Sequence, residues 1–125
     1  MKRSKMFVMK MLKLCRVNIE RGGEIFRKIE DYVEEVVKNL NPYLVILFGS
    51  FATGSINEGS DVDILVVADF EEGFLDRIKK LMDTNKFGIP IEPVGYTPEE
   101  FKEMKKRKNA FIMEVMEKGK VLYKL

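Results

Sequence analysis

A Gly49-Ser50 step followed by Asp61-Val62-Asp63, with a short apolar run on the outer side of each, constrains this chain more than any other feature. Leu44-Val45-Ile46-Leu47-Phe48 is branched and apolar, lies between Asn41-Pro42 and Gly49, and predicts a buried strand. Gly49 ends that strand. Lacking a Cβ, it lets the backbone turn sharply and approach a ligand, while Ser50 offers a hydroxyl and an N–H to a phosphate oxygen. Phe51 to Ile56 reads as one turn of helix, whose free N–H groups add to an anion site. After the turn Asn57-Glu58-Gly59-Ser60, the run Asp61 to Val67 predicts a second strand. Asp61 and Asp63 stand two apart, so both side chains project from one face of it.

Two like charges side by side on a strand repel, and a cation between them relieves the repulsion. Magnesium suits such a pair, because it takes hard oxygen ligands, needs only one or two protein carboxylates, and completes its shell from water and triphosphate. A lone Asp-x-Asp is more often a solvated turn feature. The preceding Gly-Ser turn and the following apolar strand favour the metal reading here.

The segment Gly49-Ser50-Phe51-Ala52-Thr53-Gly54-Ser55 through Gly59-Ser60-Asp61-Val62-Asp63-Ile64-Leu65-Val66 resembles the signature of the minimal nucleotidyltransferases of the polymerase-β-like superfamily. In coarse layout the resemblance extends over residues 24 to 124. It implies an α/β (α+β) fold with a small mixed β-sheet flanked by helices. It also implies binding of ATP or another nucleoside triphosphate with Mg2+ at a two-metal site, and transfer of the nucleoside monophosphate to an acceptor hydroxyl with release of pyrophosphate. On this resemblance Gly49, Ser50 and Ser60 contact the nucleotide, and Asp61 and Asp63 are catalytic metal ligands. Many such proteins are encoded beside a small helical HEPN partner, which they neutralise as the antitoxin of a toxin–antitoxin pair.

The family adds a third carboxylate, commonly Asp, from a neighbouring strand, and Glu92 is the candidate for it. Glu92 lies in Ile89-Pro90-Ile91-Glu92-Pro93-Val94-Gly95-Tyr96, an alternating segment whose prolines suggest an edge strand. Asp69 shares the parity of Asp61 and Asp63, but six strand residues place it about 20 Å from Asp63, too far to share a metal. Glutamate in place of aspartate departs from the commoner pattern and bears on the second metal site.

The chain contains no histidine, which removes histidine general-base catalysis, Ser-His-Asp triads, most zinc hydrolase sites and a HEPN-type ribonuclease site. Cys15 is the single cysteine, so no internal disulfide forms, and a reducing cytoplasm fits. Carboxylate-and-metal chemistry remains, and nucleotidyl transfer needs little beyond positioning and charge neutralisation. Twenty-two basic against 20 acidic residues leave a net charge of +2, so no global field points to nucleic acid. Lys102, Lys105, Lys106, Arg107 and Lys108 form a local basic run, as do Lys2, Arg3, Lys5, Lys10 and Lys13; such runs are usually a solvated face.

At 125 residues the expectation is one nucleotidyltransferase domain, residues 23–125, behind a basic extension, residues 1–22. Met6 to Cys15 is too short and too interrupted by lysines to span a bilayer, and it lacks a cleavage site. Ile25, Ile29, Val33, Val36, Val37 and Leu40 recur at helical spacing up to the Asn41-Pro42 stop. Phe74, Leu75, Ile78, Leu81 and Met82 mark a further amphipathic helix between Glu71 and Met82. Thr97-Pro98-Glu99-Glu100 is a capping box with proline at the first helical position, and the helix it opens is expected to run to Gly119. Lys120 to Tyr123 predicts a last strand.

A chain this short has no second domain to hold the acceptor, so a HEPN-type partner is expected to complete the system. Two other classes are consistent with the residues: a non-catalytic antitoxin that only covers its partner, and a transferase acting on a small molecule or an RNA end. The second would call for an extra acidic domain or for basic residues interleaved with exposed aromatics, and neither is evident.

Overall fold

The computed structural model describes residues 19–57 and 59–125. The basic extension expected at the N-terminus, as far as residue 18, and Cys15 within it lie outside the described residues. In chain order the elements are α1 (Ile19–Leu40), β1 (Leu44–Phe48), α2 (Ser50–Thr53), β2 (Val62–Val67), α3 (Phe74–Asp83), β3 (Ile91–Tyr96), α4 (Pro98–Lys106), α5 (Ala110–Lys118) and β4 (Lys120–Lys124). The strands form one mixed sheet in the order β3-β2-β1-β4. β1 runs antiparallel to both β2 and β4, while β3 lies parallel to β2 at the edge, where its prolines are tolerated.

Strand parity sorts the side chains into two cores. Val45, Leu47, Val62, Ile64 and Val66 meet Phe26, Ile29, Tyr32, Val33 and Val36 of α1 and Leu81 of α3 on one face. Ile46, Leu65 and Val67 meet Phe101 of α4 and Ile112 and Val115 of α5 on the other. With apolar layers on both faces, β2 has no solvated side, which explains its unbroken apolar run after Asp63. α1 extends N-terminal to the expected start at Glu24 and ends where Asn41 takes a positive φ of 46° with its N–H on the Val37 carbonyl, 3.1 Å. The buried Tyr32 hydroxyl donates to the Leu81 carbonyl at 2.8 Å and ties α1 to α3.

The single helix expected from Pro98 to Gly119 is instead two. Lys108 turns the chain with φ 54°, and the Asn109 side chain accepts the Ile112 N–H at 3.1 Å to open α5. A left-handed residue cannot continue a helix, and a fresh cap pays for the start of the next. The break sets α5 against β1 and β2 through Ile112 and Val115, next to the end of the sheet that carries the acidic pair. At the other end of α5 a Cβ on Gly119 would overlap the Val115 carbonyl, so this residue permits the tight passage into β4. The basic run Lys102 to Lys108 is exposed along α4 and the turn, as a solvated face would be.

Arg77 of α3 is the one buried charged side chain among the described residues. Its guanidinium makes a two-pronged pair with Glu100, 2.6 and 3.2 Å, and donates to the carbonyls of Gly95 and Glu72. That network clamps α3 and the start of α4 onto β3, the strand that carries Glu92.

Candidate active site

The hairpin register sets the acidic corner. Phe48, the last residue of β1, pairs with Asp63 on β2, and Asp63 in turn pairs with Glu92 on β3. Asp63, Leu65 and Val67 share a face, so the carboxylate projects toward the α4–α5 layer at the end of the sheet where that layer stops. Asp63 is half-buried; Asp61 and Glu92 are exposed.

Asp63 is pushed up to about 6, first by its own burial, then by the charge and hydrogen bonding of Glu92, then by the charge of Asp61. Every one of these influences opposes ionisation. Asp63 and Glu92 are cross-strand neighbours in the β2–β3 register, with Asp61 close enough to add to the field. Among the described residues no group of three or more His, Cys, Asp or Glu side chains is placed to hold a metal ion. The donor set still fits magnesium, an oxygen-seeking cation that keeps several water and phosphate ligands and needs few from protein. The mutual repulsion of Asp63 and Glu92, to which Asp61 adds, is what such an ion would relieve.

Gly49 stands against this corner with φ 70°, and a Cβ there would collide with Asp63 Oδ2. Only glycine gives both the left-handed turn and the close approach. Beyond it α2 is shorter than the expected turn to Ile56, closing at Gly54 with φ 89°. Its Phe51 and Ala52 are buried, which anchors the Gly49-Ser50 step to the first core.

Ser60 has a structural task in addition to the expected nucleotide contact. Its Oγ accepts the Asn57 N–H at 2.9 Å, its own N–H reaches the Asn57 carbonyl at 3.1 Å, and Asn57 Oδ1 accepts the Gly59 N–H at 2.9 Å. The serine proton stays available for donation. The turn delivers Asp61 to the mouth of the site. Asp69 sits at the far end of β2, where its carboxylate accepts the Tyr43 hydroxyl at 2.8 Å, so it is apart from the acidic corner as expected.

Between the corner and α5 lies a cleft of about 370 Å³ lined by Phe48, Gly49, Thr53, Asp63, Phe111, Glu114, Val115 and Lys118. The α5 contribution was not foreseen from the sequence. Its signal was present in the spacing 111, 114, 115 and 118, one helical stripe, but expecting an unbroken helix gave no reason to aim it at Asp63.

The mixed sheet thus sets the Gly49-Ser50 turn against Asp63 and its neighbour Glu92 beside an open cleft. Residues 27–122 match the nucleotidyltransferase domain family, and the chain belongs to that family. It is 40% identical over 80 residues to a putative protein adenylyltransferase of Methanocaldococcus jannaschii, a match covering 63% of this chain and 76% of that one. A second putative protein adenylyltransferase of the same organism is 35% identical over 85 residues, covering 63% of this chain and 56% of the relative. Among solved structures, a putative nucleotidyltransferase from Sulfolobus solfataricus aligns with TM-score 0.48 and 25% identity, covering 83% of this chain and 79% of that one. No helix among the described residues is long and apolar enough to cross a membrane.

Proposed function

We propose that this nucleotidyltransferase moves AMP from ATP to a hydroxyl on a HEPN-type helical partner protein, acting in the cytoplasm as the antitoxin of a toxin–antitoxin pair. The observation that carries the catalytic part is the juxtaposition of Asp63 with Glu92 and Asp61 immediately beside the Gly49 turn. Protein adenylylation is supported by the printed names of the two archaeal relatives. The helical partner and the antitoxin role follow from the family resemblance.

The acceptor oxygen bonds to the α-phosphorus as the bond from that phosphorus to the bridging oxygen breaks, and pyrophosphate leaves. Gly49 and Ser50 hold the phosphate chain at the turn, Ser50 through a charge-assisted hydrogen bond. Asp61, Asp63 and Glu92 would hold magnesium, which when bound neutralises charge on the phosphate oxygens and on the departing pyrophosphate. Glu92, on the exposed edge strand, faces an incoming acceptor and takes the proton of its hydroxyl.

The test is transfer of label from α-labelled ATP, with magnesium, to a HEPN-type partner, comparing wild type with the Asp61→Asn/Asp63→Asn double variant. Label on the partner that disappears in the variant supports the proposal. A stable complex with no label would replace it with the binding-only antitoxin.

A further inference from the structure

α5 presents one stripe to the cleft, Phe111, Glu114, Val115 and Lys118, at intervals of three, four and seven residues. Val115 is buried in the core and fixes the stripe's orientation. Phe111 is a large apolar side chain that is not buried: 37% of it is exposed. Its ring is held edge-on by Phe48, with centroids 5.4 Å apart and planes at 81°. Phe48 pairs with Asp63 across the hairpin, so this aromatic pair is registered directly to the acidic corner. Among the described residues Lys118 makes only a loose 3.7 Å pair with Glu114, and both are more than half exposed, so an incoming anion displaces little when it takes the lysine. The cleft volume lies at the low end of the range for small-molecule sites.

We propose that Phe111 is the platform on which the base of the bound nucleotide stacks, and that Lys118 is a cationic contact for its phosphates. The inference rests on the nucleotidyltransferase reading of the same cleft and adds to it a residue for the base and a cation for the phosphates. An exposed, rigidly held aromatic ring is what base stacking needs, and stacking favours no single base because every base has a π-face. The wall opposite α5, formed by Gly49, Thr53 and Asp63, takes the phosphate end. The platform is a binding and positioning element and takes no part in bond making.

Equilibrium dialysis with magnesium, using ATP and base-free inorganic triphosphate as parallel probes, separates this inference from the reading beneath it. Wild type is expected to bind ATP more tightly than triphosphate. Phe111→Leu should lower ATP affinity about tenfold and leave triphosphate binding unchanged, while Phe111→Tyr, which keeps the ring, should retain ATP affinity. Lys118→Gln should weaken both probes. Equal binding of the two probes by wild type, or unchanged ATP affinity in Phe111→Leu, overturns the platform while leaving the phosphate and metal site standing. Failure of wild type to bind either probe overturns both readings. Thermal melting of each variant shows whether the fold is intact, and if Phe111→Leu does not fold, equal binding of the two probes by wild type still overturns the platform.

Discussion

Gly49 and Asp63 occupy the same corner so closely that a Cβ on the glycine would overlap the aspartate's Oδ2. The glycine turn and the carboxylate are thus one steric unit, set by the pairing of Phe48 with Asp63. Gly49→Ala meets both the φ of 70° and the clash, and should cost about 1–3 kcal/mol of stability. Thermal melting together with nucleotide binding checks it. The variant should lose ATP affinity even at temperatures where it remains folded, because Asp63 must move to make room.

The pH dependence of stability should carry the mark of Asp63. Its folded-state value, pushed up to about 6 from an ordinary 3.8, means that folding favours the protonated carboxyl. The associated stabilisation is present in full below the unfolded value and is lost as pH rises through about 6. In metal-free protein, Asp63→Asn should remove that loss, leaving the variant about 1 kcal/mol more stable than wild type at pH 7, a figure reduced because the carboxylate is partly open to solvent. Denaturant unfolding at pH 4 and pH 7 measures the difference. A variant that gains stability at neutral pH while losing transfer activity is the expected behaviour of a residue kept for chemistry.

Glu92 contributes the second-largest influence on Asp63. Glu92→Gln should therefore bring the Asp63 midpoint down toward the ordinary carboxylate range, which a side-chain NMR titration reads directly. As the proposed proton acceptor it should reduce turnover by on the order of 10²-fold or more with a smaller effect on nucleotide binding. An unmoved Asp63 titration would mean that the two carboxyls are farther apart in solution.

Much of this was legible in the residues. The boundaries of β1 and the edge position of the proline-bearing strand follow from alternation and turn chemistry, whereas the candidacy of Glu92 came from the family resemblance. The pairing of Asp63 with Glu92 was not, because parallel register depends on how α3 returns the chain, and no local signal sets it. The break at Lys108 was also hidden: Lys105-Lys106-Arg107-Lys108 are good helix formers, and the cap at Asn109 becomes visible only once a turn before it is allowed. Losing the break meant losing the α5 wall of the cleft.

The cap itself is testable. Asn109→Ala removes the acceptor for the Ile112 N–H and should cost about 1 kcal/mol. Because α5 carries Phe111 and Lys118 into the cleft, the same substitution should weaken ATP binding without touching any carboxylate, and calorimetry on wild type and variant would show both effects.

The most direct measurement is calorimetric titration of ATP into the protein with and without magnesium, for wild type and for the Asp61→Asn/Asp63→Asn double variant. If the acidic corner beside Gly49 is the metal–nucleotide site, magnesium should strengthen ATP binding to wild type at least tenfold, about 1.4 kcal/mol, and have no such effect on the variant. Equal affinities with and without magnesium in wild type, or a magnesium effect that survives in the variant, would contradict that placement.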